Sequence, residues 1–206
     1  QPATRVIHNG VPDCGVAPTH SLEKGEAIRL ASFAGLNRTK NLVVALRAIK
    51  RVSKHQGHRV SYDVYGSGPE EQRLRRYVDR ELPAQTVRFH GQVNRQTSVE
   101  RMGSYHAVVM PSLSEGMSLA ALEAQMRGLP LLCSDIPSFK EVVTEGENGL
   151  FFPATDDGAL AEQLETICAD PGLIATLSRG ARERYLERFT SGMMAEKYLG
   201  LYRTLL

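Results

Sequence analysis

Residues 111–130 read PSLSEGMSLAALEAQMRGLP, and the fold is decided here. An apolar strand, His106-Ala107-Val108-Val109-Met110, runs into Pro111-Ser112, and a short turn then delivers Glu115 and Gly116. From about Met117 the period changes to that of a helix. Leu119, Leu122, Ala124 and Met126 fit one face, Gly128 ends the run and Pro130 lies just beyond it. A carboxylate thus stands at the mouth of a helix, and a second, Glu123, follows eight positions later. Eight helical residues span roughly 12 Å, about the reach from a hexose hydroxyl across a diphosphate to a ribose hydroxyl. Between the two acids lies the helix N-terminus, whose free N–H groups and dipole favour an anion. The same residues have a plainer reading, with Glu115 merely complementing the dipole and Glu123 solvated on the polar face.

On either side of this stretch the chain alternates. Ala27–Ala34 is a continuous apolar run suited to a buried parallel strand, and Asn41–Lys54 has helical spacing through Leu42, Ala45, Leu46, Ile49 and Val52. Val60–Tyr65 reads as a strand, Glu70–Arg80 as a charged helix, Val87–Phe89 as a strand and Thr97–Tyr105 as a short helix. Beyond the central helix come a strand at Leu131–Ser134, a helical turn at Phe139–Val143 and a strand at Leu150–Phe152. This alternation predicts an α/β domain, a Rossmann-like doubly wound parallel sheet. From Asp157 onward the pattern is helical, with Leu160, Leu164 and Ile167 on one face, then Ile174–Phe189 and Gly192–Leu206.

Residues 1–25 read as a linker leading into the domain, with a strong turn signal at Asn9-Gly10 and irregular chain around Pro12, Gly15 and Pro18. The domain proper is expected over 26–188, and residues 189–206 form a last helix bearing Met193, Tyr198, Leu201, Tyr202 and Leu205. That helix packs either on the domain's own sheet or on a neighbouring domain missing from this chain.

At 206 residues the chain is long enough for one substantial core. A net charge of +2 argues neither for nor against nucleic acid, and the basic stretches 73–80 and 179–188 are interleaved with acids, as on solvated helix faces. Cys14, Cys133 and Cys168 are widely spaced and odd in number, which disfavours a disulfide framework or zinc site and fits a reducing cytosol. His8, His20, His55, His58, His90 and His106 show no metal-ligand spacing, and Ser112 and Ser114 lie in no G-x-S-x-G elbow. No apolar run is long enough to span a bilayer or serve as an export signal. The chain begins without Met, so a fragment of something longer is expected.

The Pro-Ser approach, the Glu-Gly turn, the Leu-Glu-Ala core and the Gly-x-Pro exit resemble the donor-site signature of retaining glycosyltransferases of the GT-B fold, family 4. The IHNGV stretch at 7–11, Ser134-Asp135-Ile136-Pro137 and Glu145-Gly146-Glu147-Asn148-Gly149-Leu150 resemble the same family. The resemblance implies the C-terminal, donor-binding half of an enzyme that moves a sugar from a nucleotide-diphosphate sugar, a UDP-sugar favoured, to an acceptor hydroxyl. It implies no metal and no further cofactor. Glu115 then meets sugar hydroxyls, Gly116, Met117, Ser118 and Leu119 offer backbone N–H groups to sugar and phosphates, and Glu123 holds the ribose diol. Lys40 aligns with a family Lys that clamps the diphosphate. The accompanying family Arg, five positions earlier, falls on Gly35, which is a departure, and Arg38 is the candidate substitute.

Gly66-Ser67-Gly68-Pro69 is a plain strand-to-helix turn on its own terms; Glu71 stands where a dinucleotide fingerprint needs its third Gly. In the family a similar turn lines the nucleotide site, and Val93 and Asn94 fall in the loop whose backbone reads the base. The partners implied are the nucleotide sugar, a missing N-terminal acceptor-binding domain and a saccharide or lipid-linked saccharide acceptor, with no nucleic acid. Polysaccharide or glycolipid assembly, a cytoplasmic location and peripheral contact with the inner face of the cytoplasmic membrane follow from the same resemblance. An epimerase or phosphorylase on this fold, and a non-catalytic binding or scaffold module, are the rival readings; the departure at Gly35 favours the last.

Overall fold

In the computed structural model, residues 5–15, 20–54 and 60–204 are described. Pro18, His55, His58 and Leu205, named above, lie outside them. Six strands form one sheet: β1 (Ile28–Phe33), β2 (Val60–Tyr65), β3 (Val87–Gly91), β4 (Ala107–Met110), β5 (Leu131–Ser134) and β6 (Gly149–Phe152). Every described pairing is parallel, in the order β3-β2-β1-β4-β5-β6. The order reverses between β1 and β4, so the chain crosses the sheet in one direction and then the other. That is the doubly wound α/β arrangement, and its ligand crevice lies outside the carboxyl ends of the strands at the reversal.

Each inner strand is buried on both faces, which is why β1, β4 and β5 read as unbroken apolar runs rather than alternating ones. In β1, Ile28 and Leu30 join one core cluster, with α1 (Leu42–Val52), α2 (Glu71–Glu81) and α6 (Asp157–Ala169). Ala31 and Phe33 join the other, with α3 (Arg95–Met102), α4 (Leu119–Met126) and the α5 turn (Pro137–Lys140). The long helix α7 (Gly172–Arg188) gives Ile174 to the first cluster and Tyr185 to the second. Ser32 of β1, only 1% exposed, donates to the Val109 carbonyl and shares a 2.6 Å hydrogen bond with the Tyr62 hydroxyl. Burial pushes the Tyr62 phenol well above its usual range.

The segment expected as a linker is stitched onto the end of α7. Val11 N–H donates to the Phe189 carbonyl at 2.9 Å, and the Val11 carbonyl accepts from Ser191 N–H at 3.0 Å and from the Tyr185 hydroxyl at 2.9 Å. Gly10 permits this approach, since a Cβ there would stand 2.3 Å from the Thr190 carbonyl oxygen. The final helix, α8 (Ser191–Arg203), buries none of its described residues and leaves Tyr198, Leu199 and Tyr202 exposed. Packing on the domain's own sheet is therefore not what its apolar residues do.

Candidate functional site

The central helix α4 differs from the one-faced helix that the spacing predicts. Ala121, Leu122, Glu123, Ala124, Gln125 and Met126 are all buried, while Leu119 is 52% exposed. The helix is a core element enclosed on nearly every side, and its first turn projects to the surface. Ser118 caps it, its hydroxyl accepting from Ala121 N–H at 3.3 Å. Because the cap is Ser118, the five residues from Ser114 through Ser118 are not helical. The helical spacing assumed between Glu115 and Glu123 is corrected accordingly: Glu115 sits in the loop ahead of the helix and Glu123 in its second turn.

The two carboxylates have different surroundings. The Lys40 ammonium donates to Glu115 Oε1 at 2.6 Å, and the Ser112 hydroxyl donates to the same oxygen at 2.7 Å. The loops carrying them are joined by a 2.8 Å bond from Leu113 N–H to the Thr39 carbonyl. Lys40 closes a short 3-10 turn, Arg38–Lys40, capped by the Asn37 side chain, and Asn41 follows in the left-handed region at φ 52°. So Lys40 and Glu115, far apart in sequence, meet at the carboxyl ends of the adjacent strands β1 and β4.

Glu123 is not solvated. It is 6% exposed and forms part of the wall of a cleft of about 290 Å³. Phe33 and Tyr65 contribute stacked rings, 4.7 Å apart and 5° from parallel, and Ala34, Gly35, Gly66, Ser67, Gln92, Val93, Ser98 and Ala120 line the rest. Below the rings, Tyr65 and Tyr105 share a 2.7 Å hydrogen bond and Tyr105 donates to Asp63 Oδ2 at 2.8 Å. Burial, then those bonds to Tyr65 and Asp63, hold the Tyr105 hydroxyl protonated far above its usual range. His90 completes the stack on Tyr65 at 4.5 Å and pairs with Asp63 Oδ1 at 2.9 Å. The cleft therefore combines aromatic side chains whose rings are stacked on one another, a buried carboxylate and glycine backbone, which suits a ligand bearing hydroxyls.

Of the sequence-derived candidates, Gly35, Gly66, Val93 and Glu123 meet in this cleft, while Lys40 and Glu115 meet each other beside the β1 and β4 loops. Gly116 borders open space, Met117 accepts a backbone N–H from Asn9 at 3.2 Å, and Ser118 and Leu119 form the start of α4. Asn94 caps α3, its side chain accepting from Thr97 N–H at 2.8 Å. Gly66 and Gly68 are also fixed by packing: a Cβ would stand 1.9 Å from the Ala34 carbonyl oxygen at the first and 2.4 Å from the Leu36 carbonyl oxygen at the second. Arg38 is not brought into the cleft. Its side chain is 88% exposed, lies 3.6 Å from Glu70 and lines a separate depression with Arg73.

Sequence reading missed Arg95, which donates from Nε to Glu123 Oε1. It placed the helix start at Thr97, whereas the Asn94 cap starts α3 at Arg95; an Asn followed by polar residues just after a strand was the available signal. Phe33 and Tyr65 were missed because strand-end aromatics read as core, and Ser98 because a serine within a polar helix carries no signal of its own. Among the described residues no group of three or more His, Cys, Asp or Glu is arranged to hold a metal ion, and no helix is long and apolar enough to cross a membrane.

A doubly wound α/β fold with a cleft at its topological switch defines a broad class of ligand-binding domains. Within that class the chain belongs to the family described as glycosyl transferases group 1, which matches residues 19–184. It is similar to the D-inositol 3-phosphate glycosyltransferase of Streptomyces bingchenggensis, at 30% identity over 60% of this chain and 27% of that protein. Its fold matches sucrose-phosphate synthase from Thermosynechococcus elongatus with a TM-score of 0.85 at 24% identity, covering 98% of this chain and 52% of that one. It also matches HepE from Anabaena, solved with UDP-glucose, with a TM-score of 0.78 at 19% identity over 86% of this chain and 49% of that one. The chain thus spans about a quarter of the first of these and about half of the other two.

Proposed function

We propose that this chain is the donor-binding half of a retaining glycosyltransferase that takes a nucleotide-diphosphate sugar, a UDP-sugar favoured, and needs no metal ion. The observation that carries the reading is Glu123, a carboxylate only 6% exposed on the wall of a cleft at the switch point. Burying a charge is costly, and an ionised carboxylate can accept two hydrogen bonds from a vicinal diol such as that of ribose. Family membership supports glycosyl transfer, and the UDP-glucose held by one structural neighbour supports a nucleotide sugar.

In this reading the base and ribose take the cleft that Glu123 lines, and the diphosphate lies between it and the Lys40–Glu115 pair. The arriving anion competes with Glu115 for the Lys40 ammonium, and the N-terminus of α4 offers its free N–H groups from the other side. Glu115 then becomes available to accept hydrogen bonds from sugar hydroxyls. The acceptor oxygen bonds to the sugar's anomeric carbon, the bond from that carbon to the diphosphate oxygen breaks, and the acceptor's proton passes to the leaving diphosphate. Lys40 and the helix terminus stabilise the charge developing on that diphosphate. A saccharide or lipid-linked acceptor, delivered by a further domain, and a role in polysaccharide or glycolipid assembly complete the proposal.

The test is calorimetric titration of the chain with UDP, GDP and ADP, repeated on Glu123→Ala. One nucleotide is expected to bind, and the variant to bind it more weakly by about 1–3 kcal/mol, the range for charge-assisted hydrogen bonds. No binding by any of the three overturns the reading. A non-catalytic binding or scaffold module is the second reading, favoured by Gly35 in place of the family's Arg; failure to bind any nucleoside diphosphate supports it.

A further inference from the structure

Glu123 and Arg95 line different depressions: Glu123 the cleft described above, and Arg95 a second one of about 710 Å³, together with Pro12, Val99 and Met126. Arg95 lines only the second. Its Nε donates to Glu123 Oε1, so the guanidinium grips the carboxylate from outside the cleft and takes up none of the space within it. Among the described residues nothing donates to Oε2.

This division of the two oxygens is informative. A glutamate has three rotatable side-chain bonds, and a carboxylate that must receive a diol loses affinity by freezing them on binding. A guanidinium holding one oxygen fixes the carboxylate in advance and leaves the other oxygen for the ligand. Arg95 is itself anchored at the first position of α3, behind the Asn94 cap, although its side chain is 55% exposed. An exposed ion pair with no further role adds little to stability, yet here the cation is set against a nearly buried partner at the edge of the site.

We propose that Arg95 is a positioning residue for the nucleoside: it pre-sets the Glu123 carboxylate so that the cleft distinguishes a ribose with free 2′ and 3′ hydroxyls from one without them. The proposal rests on the reading of Glu123 as the ribose ligand. It assigns to the first turn of α3 a part in recognising the sugar of the nucleotide.

The experiment is calorimetric titration with UDP and 2′,3′-dideoxy-UDP, or the same pair of whichever base the chain binds, on wild type, Glu123→Ala, Arg95→Ala and Arg95→Gln. Wild type is expected to prefer the ribonucleotide by about 10–100-fold, as for one or two charge-assisted hydrogen bonds. Glu123→Ala abolishes that preference. Arg95→Ala lowers it at least fivefold while leaving dideoxy-UDP binding unchanged, because only the contact made through Glu123 is disturbed. Arg95→Gln, which keeps a neutral donor, falls between and carries the test if the alanine variant is unstable.

Two results overturn the role of Arg95 alone: an undiminished preference in its variants, or equal weakening of both ligands, which marks a merely structural residue. Full preference in Glu123→Ala, or no nucleotide binding by wild type, overturns the reading of Glu123 and this proposal together.

Discussion

At the scale of single residues, Gly35 is the position where chemistry and geometry part. The other glycine of the cleft, Gly66, is one of necessity: its φ is +136° and a Cβ there would stand 1.9 Å from the Ala34 carbonyl oxygen. Gly35 is under no such constraint. A Cβ there meets Asn37 Nδ2 at 3.8 Å and the Ser67 carbonyl oxygen at 4.0 Å, ordinary contact distances. Gly35→Arg is therefore expected to leave folding stability within about 0.5 kcal/mol. With its guanidinium beside the proposed diphosphate position, it should tighten nucleoside-diphosphate binding by about 1–2 kcal/mol. Thermal melting and titration with UDP read the two quantities, and unchanged affinity would place the phosphates away from residue 35. Arg38 does not meet this need, since it faces Glu70.

Among the elements, α4 governs the site, and its placement depends on a buried pair of amides. Gln125 and Asn148 are 0% and 1% exposed. Asn148 Nδ2 donates to Gln125 Oε1 at 2.6 Å and to the Val142 carbonyl at 3.0 Å, its Oδ1 accepts from Thr144 N–H at 2.7 Å, and Gln125 Nε2 donates to the Asn148 carbonyl at 3.2 Å. The clasp ties α4 to the turn ahead of β6. Asn148→Ala strands Gln125 Oε1 and the Thr144 N–H inside the protein, so a loss of about 2–4 kcal/mol is expected. Urea denaturation checks this, and a midpoint unmoved from wild type would mean that water or relaxation replaces the amide.

These elements also show what the sequence makes legible. β2 and β5 were read to the residue, because β2 alternates apolar with polar residues, β5 is a short apolar run, and turn residues follow each. Lys40, Glu115 and Glu123 stood out by their pattern. Their partners did not, for a hydrogen bond such as Arg95 to Glu123 joins two segments whose proximity only the folded sheet creates. The helix α4 was legible, but its burial on nearly every side was not, for the related reason that a helix packed on several sides has no single apolar stripe to detect.

For the molecule as a whole, stability is expected to depend on pH through a buried histidine at the amino end of β4, away from the cleft. His106 is 1% exposed; its Nδ1 accepts from Arg29 N–H at 3.0 Å, while Arg29, Glu26 and His20 surround it. Burial, aided by Arg29, pushes its pKa down to about 4, against a weaker upward pull from Glu26. The unfolded chain, with an ordinary histidine, binds the proton first as pH falls. The stabilisation is thus complete above about pH 6.5 and is lost between there and about pH 4. The shift corresponds to a loss on the order of 3 kcal/mol. His20, also lowered by burial, acts in the same direction. Denaturation at pH 7 and pH 5 should show the fall, and His106→Gln should flatten much of it; an equal slope in the variant would assign the effect elsewhere.

The crossing of backbones at Val11 and Thr190 has a mechanical consequence. Three contiguous residues join two separate parts of the molecule: Asn9 donates its N–H to the Met117 sulfur, while Gly10 donates to the Met194 sulfur and Val11 pairs with the end of α7, both at the α7–α8 junction. Met117 immediately precedes Ser118, the cap of α4. A change that displaces residues 9–11 from that junction is therefore expected to reach the start of α4 through Asn9 and Met117.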